Sequence, residues 1–154
     1  MTIQPVVIYE EDARELAQRL DAFLRASRSS LVILIDRSGQ IIAERGYSRK
    51  RDVEELAALA AAAFAATEQV AKLIGETSFS VLFHQGEERN IHLSVVGDAA
   101  LMLTTFDDRT TLGLVRLYAG DAAQSLMPVM QRIRSRSTPP DLPDMSGREF
   151  FRSQ

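Results

Sequence analysis

AALAAAAFAATEQVAKLIGE, residues 57–76, decides how the chain is read. Ala, Leu, Glu, Gln and Lys are strong helix formers, so the run predicts a helix. Gly75 stands where a left-handed residue ends such a helix. At 100° per residue, Val53, Leu56, Ala60, Ala63, Thr67, Val70 and Ile74 form one stripe, expected to lie on a sheet. Roughly opposite fall Ala58, Ala61, Ala62, Ala65, Gln69 and Lys72. A solvated face normally carries more charge than this. Small side chains on a second face predict the close approach of another backbone. At about 1.5 Å per residue, a helix of about 24 residues would be about 36 Å long, enough to carry much of a protein–protein interface.

Working outward, EEDARELAQRLDAFLRAS predicts a helix from Glu10 to Ser27, with Leu16, Leu20, Phe23 and Leu24 on one side. SSLVILID reads as a buried strand, Asp36–Gly39 as a turn, and QIIAERG as the returning strand. After the central helix, FSVLFHQ, NIHLSVV and ALMLTTF are strands whose short links favour antiparallel neighbours. Leu112, Val115, Ala119, Ala122, Leu126, Val129 and Ile133 recur at helical spacing, with Pro128 expected to kink or interrupt that helix. From Ser135 the composition turns to Ser, Pro and charge, which reads as a flexible tail over 135–154 following one domain over 1–134. Within the tail, REFF reads as a short docking segment. The order α-β-β-α-β-β-β-α predicts an α+β fold: a five-stranded antiparallel sheet with helices on both faces.

Composition narrows the function. The 154 residues suffice for one domain, and 45% hydrophobic with 25% charged residues is ordinary for a globular protein. A net charge of -3 gives no general attraction to nucleic acid or to an anionic membrane. The lack of cysteine excludes a disulfide framework, a thiolate metal site and a Cys nucleophile. The N-terminal residues have no basic segment followed by a long apolar run, and no stretch reads as a membrane span. A cytoplasmic protein without membrane insertion is expected.

Candidate chemistry is sparse. His84 and His92, on neighbouring strands, could meet across a hairpin, but a metal site would need further ligands. Asp107 and Asp108, adjacent on a strand end, point apart and make a poor acid/base pair. Asp107, Asp108 and Thr110 read as caps of the last helix, with Arg109 solvated. There is no phosphate-binding loop motif. Arg49–Arg51 and Arg132, Arg134 and Arg136 read as solvated loop and helix ends. No catalytic residue, metal or cofactor is expected.

YEEDARELAQRL, LVILIDRSGQIIAERG, VAKLIGETSF, FHQGE and TFDDRTTLGLVRL occur in an order and spacing that closely resemble bacterial members of the roadblock / dynein light chain family, from about Val6 to Ile133. The resemblance implies a homodimer in which the strand from Ser78 to Gln85 pairs with its twin and the central helices lie side by side. The dimer contacts so implied are Ala58, Ala62, Ser78, Phe79, Val81 and Phe83. It further implies that the paired helices bind a small Ras-like GTPase of the MglA type in its GTP-bound state, through Ala61, Ala65, Gln69 and Lys72. The expected function is activation of that GTPase, with an effect on nucleotide exchange, in bacterial cell polarity or motility. Such activators reposition the GTPase's own residues, so no arginine finger is expected from Arg109. The alternatives are a scaffold dimer that binds a partner without stimulating hydrolysis, and a small-molecule sensor.

Overall fold

A computed structural model describes residues 7–137. Helix α1 (Glu10–Ser27) is followed by β1 (Leu31–Asp36), β2 (Ile41–Gly46), α2 (Lys50–Leu73), β3 (Val81–Gln85), β4 (Asn90–Val96), β5 (Ala100–Phe106) and α3 (Leu112–Ser137). The five strands form one antiparallel sheet in the order β2-β1-β5-β4-β3. The expected fold class and element order are both present.

Side chains alternate across the strands, so each strand feeds two cores. On one face Val32, Leu34, Val96, Ala100 and Met102 pack under α1 and α3, against Leu16, Leu20, Phe23, Leu126 and Val129. On the other Leu31, Ile33, Ile35, Leu93, Leu101 and Leu103 pack under α2. Burial of β1 and β5 on both faces explains why their sequences are nearly unbroken apolar runs.

Charge joins the two helices of the first face. Asp12, buried in the first turn of α1, accepts hydrogen bonds from Arg132 (3.0 Å) and Arg136 near the end of α3. Burial alone would raise the Asp12 pKa, but the hydrogen bonds from Arg136 and Arg132 outweigh it and hold the carboxyl below its ordinary value. Arg136 also lies 4.4 Å over the Tyr9 ring. Two members of the basic cluster read as a solvated helix end are therefore bonded within the fold.

α3 runs unbroken through Pro128, contrary to expectation. Pro128 is exposed, while Leu126 and Val129 beside it are fully buried. Gln124, whose carbonyl Pro128 leaves without its helical donor, is itself exposed, and core packing on both sides outweighs the roughly 3 kcal/mol cost of an interior proline. The helix also includes Ser135–Ser137, which composition assigned to the tail; the remainder of that segment, with REFF, lies outside the described residues. β3 starts at Val81, so Ser78 and Phe79 precede the strand in which they were expected.

The turn between β1 and β2 presses on α2. Asp36 Oδ1 accepts from the backbone N–H groups of Ser38 and Gln40, each at 2.9 Å, shaping the turn. Gly39 sits at φ +91°, where a Cβ would lie 2.9 Å from Ala58 Cα and 3.4 Å from Ala61 Cβ. Gly39→Ala is expected to destabilise the protein by about 1–3 kcal/mol, from a left-handed backbone and a backbone clash together. Chemical denaturation checks this; an unchanged midpoint would show that the turn can retreat from α2.

Candidate interaction surface

α2 is only half covered. Val53, Ala57, Ala60, Ala61 and Phe64 are buried against the sheet and the β1–β2 turn, and Ala71 is buried further along the same side. This face is turned by roughly 70° from the expected stripe, taking 100° per residue. Val70 and Ile74, assigned to the sheet, are 50% and 65% exposed. Ala61, assigned to a partner surface, is 5% exposed because it faces Gly39 and the core. Phe64 is the anchor that the expected stripe omitted, although it is the largest side chain on the helix. Ala65, Gln69 and Lys72 are exposed, as are Ala58 and Ala62. Part of the alanine content thus serves this chain's own turn, at Ala57, Ala58 and Ala61. The small face at Ala62, Ala65 and Ala66 has no such cover.

Beside these alanines stand Leu59, at 68% exposure, and Leu73, at 87%, on the outer side of the helix. Between α2 and the outer strands runs an apolar cleft of about 170 Å³, bounded by Leu59, Ala63, Leu82, His84 and Ile91. The cleft leads to β3, an edge strand paired only with β4. Val81 and Phe83, opposite Ser94 and His92, are half-buried on the other face of this strand, where the Phe83 ring stacks on Phe106 with centroids 6.2 Å apart. Ser78 is exposed and Phe79 half-buried in the connection leading into β3. On the α2 side of the sheet, helix face and cleft make one apolar surface that runs out to the β3 edge at Leu82, the kind that soluble proteins use for association.

The other candidate residues do not converge. His84 pairs with Ile91 and His92 with Phe83, so the histidines lie on opposite faces of the sheet and do not meet across the hairpin. Among the described residues no group of His, Cys, Asp and Glu is placed to hold a metal ion. Arg109 Nε donates to Asp107 Oδ1 (2.9 Å) and its Nη2 to Ser30 Oγ (3.0 Å), so it is tethered and not simply solvated. Its hydrogen bond holds the Asp107 carboxyl below its ordinary pKa. The last helix is capped by Thr111 Oγ1, which accepts from Leu114 N at 3.2 Å, in place of the expected Asp107, Asp108 and Thr110. By length and composition Asp52–Leu73 does pass as a membrane span, against the sequence reading; its inner side lies on the sheet, as in a core helix.

The fold and this surface define an α+β interaction module. The Roadblock/LC7 domain family profile matches residues 16–106, and the chain belongs to that family. Among solved structures, Myxococcus xanthus MglB is 34% identical, with TM-score 0.76 over 82% of this chain and 96% of that one. The gliding protein MglB of Thermus thermophilus is 29% identical, with TM-score 0.78 over 85% and 99%. An MglB described with a tetrameric arrangement is 30% identical, with TM-score 0.80 over 86% and 99%. No curated protein sequence matches. These similarities place the chain with MglB-type regulators.

His92 adds a pH dependence. It is 1% exposed on the α3 side of the sheet, and neither ring nitrogen has a hydrogen-bond partner among the described residues. Burial, then the charge of Arg116, lowers its pKa to about 4. The unfolded value is about 6.5, so this contribution is complete above that pH and is lost as pH falls toward the folded value. The shift corresponds to on the order of 3 kcal/mol. His92→Leu is expected to flatten the fall in stability between about pH 6.5 and 4.5, measured by urea titration at each pH. An unchanged slope would assign the acid sensitivity to other groups.

The exposed face also predicts self-association. Leu59→Glu with Leu73→Glu should leave the single-chain fold intact by circular dichroism and move the sedimentation coefficient to the monomer's. Sedimentation identical to the parent protein would remove this face from the contact.

Proposed function

We propose that the chain is a homodimeric, cytoplasmic regulator of a small Ras-like GTPase of the MglA type, which stimulates GTP hydrolysis and affects nucleotide exchange, in bacterial polarity or motility. The observation that carries this reading is the exposed small-residue face of α2 running into the open β3 edge. Two copies joined along β3 would set their central helices side by side, with Ala58 and Ala62 admitting the twin. Ala65, Gln69 and Lys72 would then face the GTPase from the top of the pair. Ala61, buried here, acts only as support for that surface. The proposed domain spans residues 1–134, with the segment that follows as an extension.

The mechanism is conformational. The dimer binds the GTP-bound state more tightly than the GDP-bound state, and that difference in affinity holds the switch regions ready for hydrolysis. No arginine is inserted in this reading, and the tethering of Arg109 by Asp107 and Ser30 agrees with that.

The test is single-turnover hydrolysis by the MglA-like GTPase of the same genome, with and without this protein. Stimulation of at least about tenfold, or about 1.4 kcal/mol off the barrier, is expected. Ala65→Arg should weaken GTPase binding by about tenfold or more while leaving the thermal midpoint unchanged. Binding without stimulation, indifferent to nucleotide, would establish the scaffold alternative.

A further inference from the structure

On the face of the sheet away from α2, a second cavity of about 270 Å³ opens between the β4–β5 turn and the last turns of α3. Its apolar walls are Ile42, Val96, Ala99, Met127 and Met130. Met127 is 38% exposed although it faces this hollow. The volume is at the small end for a ligand or cofactor pocket and suits one or two side chains. Asp36, Asp98 and Arg134 stand around the opening, two carboxylates to one guanidinium, with Asp98 and Arg134 already 3.9 Å apart. Arg37, itself paired with Glu68, donates to the Asp98 carbonyl beside it, so the opening is apolar within and its carboxylates outnumber the cations around it by one.

The helix that supplies this wall ends at Ser137, three residues beyond Arg134, and 17 more residues follow. They hold the only adjacent aromatic pair in the sequence, Phe150–Phe151, flanked by Arg148 and Arg152. Phe150 is 13 positions from Ser137. A coil of that length spans on the order of 20 Å and reaches about 45 Å when extended, so the mouth of the cavity lies within its range.

We propose that the cavity is the docking site of the chain's own segment Arg148–Arg152. Phe150 or Phe151 enters between Met127 and Met130, and the flanking arginines meet Asp36 and Asp98. Methionine lines the site because a polarizable thioether packs well against a ring edge and adapts to its shape. Charge complementarity sets the direction, since Arg148 and Arg152 outnumber Glu149. Tethering raises the local concentration of the segment to the millimolar range, so a weak contact suffices. The docking is independent of the α2 surface and holds whether or not a GTPase is the partner.

The test uses the full chain. With p-benzoylphenylalanine in place of Phe150, illumination is expected to join it to Met127 or Met130, identified by peptide mass spectrometry. In an equal mixture of nitrogen-15-labelled and unlabelled chains, the joined peptides should come from one chain. Met127→Glu should abolish the product. In a second measurement, Phe150→Ala with Phe151→Ala should shift the methyl resonances of Met127 and Met130 and leave that of buried Met102 in place. Cross-links confined to other surfaces, products joining labelled to unlabelled chains, or unmoved Met127 and Met130 resonances would each overturn the proposal.

Discussion

The seating of Phe64 between α2 and the sheet is the contact on which the interaction surface depends. A helix rich in alanine has little contrast between its sides, so it can lie on a sheet at several rotations with similar burial. One large side chain removes that freedom. With Phe64 at 1% exposure over β1 and β5, the rotation of α2 is set. Gly39 then locks it from the flank, because the turn reaches the helix backbone at Ala58. Arg37 adds a polar tie, bonding Glu68 on α2 and lying 5.7 Å over the Phe64 ring. What faces outward is decided by what is held inward.

Much of this was legible in the sequence. The α1 stripe contrasts strongly with its charged side, and the β-branched runs of β1, β4 and β5 are bounded by clear turns. Those contrasts are local, and the element order followed from them. The rotation of α2 was not legible, because Val53, Val70 and Ile74 near the helix ends outweighed a single phenylalanine when periodicity was counted. The role of Gly39 was read only as a turn, since nothing local says that a helix more than ten residues later will pack on it. Pro128 was misjudged for the same reason: its cost is local, and the packing that offsets it is tertiary. The histidines failed on strand register, which sequence alone does not specify.

The candidate surface divides along the same line. Its exposed alanines, Gln69 and Lys72 were found from composition, and the β3 edge from strand order together with the family resemblance. The apolar cleft between them was not foreseen, because it exists only where α2 fails to reach the outer strands. The basic residues of α3 show the converse. Read locally as solvated charge, Arg132 and Arg136 find Asp12 within the chain, and tie the start of α1 to the end of α3.

The two borders of the sheet are unequal. At the β2 border, Glu44, Arg45 and Gly46 are exposed, Arg45 is held by Asp21 at 2.8 Å, and the register with β1 shifts near Leu34 and Ile35. A strand arriving there would meet charge, a displaced ion pair and an irregular ladder. The β3 border offers none of these obstacles beyond its own short length. Growth by strand addition is therefore one-sided: once β3 is occupied, the remaining border terminates the sheet. An assembly built this way closes at a fixed number of copies and does not run on as a fibre.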